Sequence, residues 1–71
     1  MARATAGEKL ARWRARTGLT QAEAAARVGV RQSAWSEWES GRSFPRIEHA
    51  IAIETATRGA VRARDFVLVG P

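Results

Sequence analysis

The sequence predicts an all-α fold of four to five short helices, and two observations carry that prediction. Fifteen of the 71 residues are alanine, which has the highest intrinsic helix propensity. Apolar residues recur at three- and four-residue spacings, and glycines follow the runs in which they do so. A chain of this length forms one small domain around a single core. We therefore expect a flexible N-terminal arm over residues 1–6, a compact domain over residues 7–66 and a short apolar C-terminal tail over residues 67–71.

The first predicted helix runs from about Gly7 to Thr17, and Gly18 ends it. Leu10 and Trp13 lie three residues apart and share one face of this helix. That face is the side expected to enter the core.

The second predicted helix opens at Thr20, whose hydroxyl can cap its first turn. Glu23 follows three residues later and completes the pattern of a capping box. The small side chain of Ala25 lets a neighbouring helix cross closely, and Val28 closes the apolar face. Gly29 then turns the chain, because glycine adopts a positive φ at little cost.

The third predicted helix covers about Arg31 to Ser40 and ends at Gly41. Trp35 and Trp38 lie one turn apart on one side of it. Tryptophans at this spacing indicate a core, although aromatic residues also serve elsewhere as base-stacking platforms.

The fourth predicted helix spans Ile47 to Thr57 and ends at Gly59. A fifth, short helix is expected near Arg62 to Phe66, followed by a β-prone apolar run. The side of the fourth helix predicted to carry its apolar residues consists of Ile47, Ala50, Ile51 and Glu54.

Charge and composition narrow the classes of function. The net charge of +5 comes from eleven arginines and one lysine against seven acidic residues, and a small domain this basic suits a nucleic acid or an anionic membrane surface. A solvated basic surface is the alternative, above all for Arg12, Arg16 and Arg27. The chain has no cysteine, and its one histidine, His49, has no second histidine to pair with. We expect no enzymatic activity, cofactor or metal, and no membrane span.

The segment between Thr20 and Glu39 has the layout of a helix-turn-helix, two short helices joined at a glycine. In that arrangement the second helix lies in the major groove of DNA. A plain helical hairpin shares some of these features and is the structural alternative.

Longer motifs strengthen this interpretation. The sequence reads LARWRARTGLTQAE, then VGVRQS, then WESGRSFP, so that four residues separate an arginine from Leu-Thr-Gln and an aromatic residue precedes Glu-x-Gly. In these motifs, over residues 10 to about 66, the chain resembles the lambdoid phage repressor and Cro (XRE-type) helix-turn-helix family. The resemblance implies a lambda-repressor-like DNA-binding domain with its helix-turn-helix at about residues 20–40.

The resemblance also implies roles for particular residues. Gln32 matches the first base-reading position, where glutamine can bind adenine. Arg31 suits either guanine or a phosphate, and Glu37 either accepts a hydrogen bond from cytosine or stays solvated and rejects other bases. The predicted base-reading set is Arg31, Gln32, Ser33, Ser36 and Glu37.

A second implied set grips the DNA backbone without reading sequence. Gln21 matches a residue that contacts a phosphate and braces the recognition helix. The predicted phosphate-binding set is Gln21, Arg42, Ser43 and Arg46. Arg14 and Glu39 match a partly buried ion pair that ties the first helix to the third.

The sequence departs from the family pattern at three positions. Ala24 stands where leucine is frequent, Trp35 replaces a smaller aliphatic residue, and Trp38 adds further bulk. We expect the large side chains to compensate for the small one.

These observations predict a transcription regulator, most simply an autorepressor, that binds double-stranded DNA as a homodimer at an inverted-repeat operator in the bacterial cytosol. The predicted dimer contact is the apolar run Phe66, Val67, Leu68 and Val69, together with the fourth helix and the loop that follows it. With no room for a sensing domain, we expect no small-molecule ligand. The alternative is an antitoxin or a restriction-modification controller, which would also engage a protein partner.

Overall fold

The computed structural model describes residues 5–67, and within them the chain forms four α-helices and one 3₁₀ helix, with no strand. This confirms the all-α prediction. Residues 1–4 of the predicted arm and residues 68–71 of the predicted tail lie outside the described part. No helix within residues 5–67 has the length and apolarity that crossing a membrane requires. The helices are α1 Ala6–Thr17, α2 Gln21–Arg27, α3 Gln32–Ser40 and α4 Ile47–Ala56, followed by the 3₁₀ helix Ala63–Phe66.

Helices α1 and α2 both begin with a capping box. The Thr20 hydroxyl accepts a hydrogen bond from the amide of Glu23 at 3.1 Å, and the Glu23 carboxylate accepts one from the amide of Thr20 at 2.8 Å, as predicted. Thr5 and Glu8 form the same pair at 3.1 and 2.7 Å. This second box was not predicted. Because Thr5 caps the helix, α1 begins at Ala6, one residue before the expected start.

The turn between α2 and α3 depends on Gly29, which has a φ of 76°. The amide of Val30 donates to the carbonyl of Ala25 at 3.0 Å, and that of Gly29 donates to Ala26 at 3.2 Å. These bonds satisfy carbonyls at the end of α2 while the chain reverses. The predicted glycine turn is therefore confirmed.

Three tryptophans form the centre of the core. Trp35 is 1% exposed, and its ring centroid lies 6.3 Å from that of Trp13 and 6.1 Å from that of Trp38. Both distances lie within the range of favourable tilted aromatic pairs. Ala24, fully buried, belongs to the same cluster, so a small residue on α2 accompanies a large one on α3. The buried apolar residues are Leu10, Trp13, Ala24, Ala25, Trp35, Trp38, Ala50, Ile53, Val61 and Phe66.

Helix α4 turns a different side to the core from the one predicted. Ala50 and Ile53 are buried, whereas Ile47 is 66% exposed and Ile51 54%. The buried positions continue at Thr57, so the stripe that faces the core follows spacings of three and four residues from Ala50. The prediction that the apolar side of α4 runs through Ile47 and Ile51 was wrong as a description of the core.

The C-terminal 3₁₀ helix closes the core beside α4. Phe66 is only 9% exposed, so the structure moves this residue from the predicted dimer contact into the core of its own chain. Asp65 accepts a hydrogen bond from the ammonium of Lys9 at 3.0 Å, and this ion pair ties the 3₁₀ helix to α1. The exposed carboxylate of Glu54 accepts a hydrogen bond from the amide of Ala63 at 2.8 Å and links α4 to the 3₁₀ helix.

Gly7 lies where α1 approaches the end of α3 most closely. A Cβ atom at this position would lie 2.6 Å from the carbonyl oxygens of both Trp38 and Glu39. These oxygens belong to the backbone, so relief would require the two helices to separate. From the sequence, Gly7 was predicted only to start a helix, because no local pattern indicates this contact.

We predict that Gly7→Ala destabilises the domain by about 1–3 kcal/mol, because an added methyl group overpacks a backbone contact. Helix propensity alone would give the opposite sign, since alanine stabilises a helix relative to glycine by about 0.5–1 kcal/mol. Chemical denaturation monitored by circular dichroism measures the change.

The matched control is Ala15→Gly at an exposed position of the same helix, for which we expect only the propensity cost of about 0.5–1 kcal/mol. A stability gain in Gly7→Ala would contradict the close approach.

Candidate nucleic-acid interface

The carboxylate of Glu39 connects the first three helices. Arg14 of α1 donates from Nε to Oε2 at 2.6 Å and from Nη2 to Oε1 at 3.1 Å. Gln21 of α2 donates from Nε2 to Oε1 at 3.0 Å, and Trp35 of α3 donates from its indole N–H to Oε2 at 2.5 Å. The predicted partners Arg14 and Glu39 thus lie together, and the indole contact is an addition that sequence reasoning missed. We call these four residues the Glu39 network.

Hydrogen bonds within the network keep the carboxylate of Glu39 ionised. Burial by itself raises the pKa of Glu39, whose side chain is 9% exposed, but the hydrogen bonds from Arg14, Gln21 and Trp35 outweigh it and leave that pKa below its usual range. The hydrogen bond with Glu39 in turn raises the pKa of Arg14. The ion pair is therefore intact at neutral pH and holds α3 against α1.

The outer face of α3 carries the residues predicted to read bases. Arg31, Gln32, Ser33 and Glu37 are exposed, and Ser36 is half-buried. The opposite face holds Trp35 and Trp38 in the core, so the helix is anchored on one side and polar on the other. Four of the five predicted base-reading residues lie on α3 itself, and Arg31 lies at its N-terminal cap.

The residues predicted to grip phosphates lie at the start of α2 and in the segment between α3 and α4. Arg42 and Arg46 are exposed in the segment between α3 and α4, and Arg46 immediately precedes α4. Within residues 5–67, α3 and α4 begin without the side-chain hydrogen bond that caps α1 and α2. Their first-turn amides are therefore not taken by a capping side chain, and such amides favour anions.

Gln21 is placed by the Glu39 network at the beginning of α2. One N–H of its amide is used on Glu39, and an amide group has a second N–H to donate. The amide of Glu23 in the same first turn already donates to the Thr20 hydroxyl, so it is not free to bind a phosphate.

Glu37, predicted to read bases, and Ser43, predicted to bind phosphate, are hydrogen-bonded to each other. The Ser43 hydroxyl donates to Oε1 of Glu37 at 3.0 Å. The two residues lie six apart across the end of α3, a distance in sequence for which helix periodicity gives no expectation. Only the path of the loop brings them together.

Two short helices joined at Gly29, the second with one face buried and one face polar, define a helix-turn-helix. A family profile described as a helix-turn-helix domain matches residues 5–66. The chain belongs to this family, in agreement with its resemblance to the XRE-type proteins, and has the fold of a small DNA-binding domain. No curated protein and no solved structure matches it.

We predict that Glu39→Gln removes part of the pH dependence of the unfolding free energy below about pH 4.3, the ordinary pKa of a glutamate. Because the pKa of Glu39 is lowered in the folded protein, its contribution is present above that value and is lost as the pH falls through the lowered pKa. Urea denaturation of the parent and Glu39→Gln proteins between pH 7 and pH 2.5 gives both curves. The difference in unfolding free energy between the two proteins should be largest at neutral pH and should decrease in acid.

The control is Glu48→Gln, an exposed position of α4, whose unfolding free energy at pH 7 should stay within about 0.5 kcal/mol of the parent value. Parallel curves for the parent and Glu39→Gln proteins would show that the network does not depend on the charge of Glu39.

Proposed function

We propose that this chain is a sequence-specific regulator of transcription that binds double-stranded DNA through the outer face of α3. The observation that carries the proposal is the polar face of α3, which the Glu39 network and the buried tryptophans hold in one orientation. A rigid helix with exposed polar side chains is what reading base edges in the major groove requires. The proposal gives the chain no catalytic step and no cofactor.

The work of binding is divided between two groups of residues. Gln32 and its neighbours on α3 read bases, and Gln32 is suited to adenine because its amide both donates and accepts. Arg42 and Arg46 contact phosphates, which position the domain on any sequence. The net charge of +5 supports this second role, because the same field attracts DNA of every sequence.

A second copy of the chain is the proposed partner. Two recognition helices related by a two-fold axis enter successive major grooves about 34 Å apart, so the operator is an inverted repeat. Such a dimer occupying a promoter blocks it, and autorepression is the simplest circuit for the chain.

Within the predicted dimer contact, helix α4 carries the exposed apolar residues that the structure describes best, since Phe66 is in the core and Leu68 and Val69 lie outside the described residues. Ile47 and Ile51 lie one turn apart and are 66% and 54% exposed. Isolated apolar side chains on a surface are ordinary, but a pair on one helix face can pack against the same pair of a second copy across a two-fold axis. Phe44 and Val67 are the other large apolar side chains exposed among the described residues. We propose that the two α4 helices pair through Ile47 and Ile51.

We predict that Gln32→Ala lowers the affinity for a selected operator by about 1–3 kcal/mol and leaves binding to random duplexes nearly unchanged. Arg42→Ala should weaken both kinds of duplex alike and reduce the salt dependence of binding by about one counterion. Fluorescence anisotropy at several salt concentrations, on duplexes selected from a randomised pool and on unselected ones, separates the two effects.

Arg12→Ala serves as the control, because it removes the same charge from an exposed position of α1. It should alter binding less than Arg42→Ala. Equal losses in Gln32→Ala and Arg42→Ala on both kinds of DNA would refute the division between reading and gripping.

We predict that Ile51→Glu converts the dimer to a monomer in analytical ultracentrifugation. Two carboxylates would face each other across the two-fold axis, and their desolvation is unfavourable. Binding to an inverted repeat should weaken, whereas binding to a single half-site should not.

The matched control is Ala15→Glu, which places the same charge on an exposed position of α1 and should leave the dimer intact. A dimer that survives Ile51→Glu would place the interface elsewhere.

A further inference from the structure

The hydrogen bond between Ser43 and Glu37 assigns Ser43 a role other than the phosphate contact expected from the sequence. A serine hydroxyl has one hydrogen to donate, and here Glu37 receives it at 3.0 Å. A phosphate oxygen only accepts hydrogen bonds. Ser43 can therefore serve the carboxylate or a phosphate, but not both fully.

Charge argues against the phosphate. A phosphate bound to the Ser43 hydroxyl would lie within a few ångströms of the Glu37 carboxylate, and two like charges at that distance repel each other. Withdrawal of water on docking would strengthen that repulsion. Arg42, in the same loop, remains available for phosphate. Its side chain is exposed and, in the described part of the chain, is not hydrogen-bonded to a carboxylate as Ser43 is.

The backbone conformation at the end of α3 brings Ser43 close to Glu37. Gly41 has a φ of 80°, its amide donates to the carbonyl of Trp38 at 3.3 Å, and the amide of Arg42 donates to the carbonyl of Glu37 at 3.0 Å. This pair of bonds is the Schellman arrangement, which folds the chain back over the last turn of the helix. Ser43 is thereby brought to the side chain of Glu37.

We infer that Ser43 is a positioning residue that holds the Glu37 carboxylate toward the major groove, so that Glu37 selects cytosine. Glu37 lies one helical turn after Ser33 on the polar face of α3 and is exposed. A carboxylate is an acceptor only, and the amino group of cytosine offers it a donor. This inference rests on the proposed DNA-binding function and specifies how one base pair is chosen.

The test is selection of duplexes from a pool with a randomised central segment, followed by sequencing, for the parent protein and for variants. We expect the parent to show a cytosine preference at one position of each half-site. Glu37→Gln should reduce that preference about tenfold or more. Ser43→Ala should reduce it about three- to tenfold at the same position only, and Ser43→Thr, which keeps a hydroxyl, should retain it.

A double variant sharpens the result. If Ser43 acts through Glu37, then Ser43→Ala should have no further effect on base preference in the Glu37→Gln background. The control is Ser40→Ala, because the Ser40 hydroxyl donates to the main-chain carbonyl of Glu37 and not to its carboxylate. It should leave the cytosine preference intact, and thermal melting of each variant checks that the fold is unchanged.

Two outcomes would overturn the inference while leaving the proposed function intact. One is a uniform loss of affinity in Ser43→Ala with unchanged base preferences, which identifies a phosphate contact. The other is an unchanged selection profile in Ser43→Ala or Glu37→Gln. A parent protein that enriches no sequence at all would refute the proposed function, and this inference with it.

Discussion

The orientation of the recognition helix depends on one carboxylate, that of Glu39. Taking a charge out of water is costly, and the chain offsets that cost with hydrogen bonds from Arg14, Gln21 and Trp35, one on each of the first three helices. Since loss of any donor leaves the buried charge less satisfied, the three helices hold one relative position. That requirement acts together with the apolar contacts of Trp35 and Trp38 to hold α3 in place.

Packing and polar bonding support each other at the junction of α1 and α3. The backbones approach so closely at Gly7 that no Cβ atom fits, and this approach brings the end of α3 to α1. The tryptophan rings fill the space behind α3, with Trp35 contributing its ring to the core and its N–H to Glu39. A buried indole that satisfies its N–H in this way stabilises the core and orients the carboxylate together.

Much of the fold was predictable because its signals are local. A threonine followed three residues later by a glutamate predicts a helix start, and this pattern occurs at Thr5 as well as at Thr20. Gly29 and the buried tryptophans also follow from spacing in the sequence. The buried side of α4 did not, because isoleucines at positions 47, 51 and 53 fit two different faces, and the packing of α4 against the rest of the core decides between them.

The sequence by itself determined the helices, the glycine turn and the residue types on the polar face of α3, since capping, propensity and periodicity act within a few residues. Tertiary structure decided which distant groups share a bond. The indole contact to Glu39, the close approach at Gly7, the burial of Phe66 and the bond from Ser43 to Glu37 all depend on how loops and helices meet in space. These contacts follow from the packing of the whole chain, and no local sequence pattern predicts them.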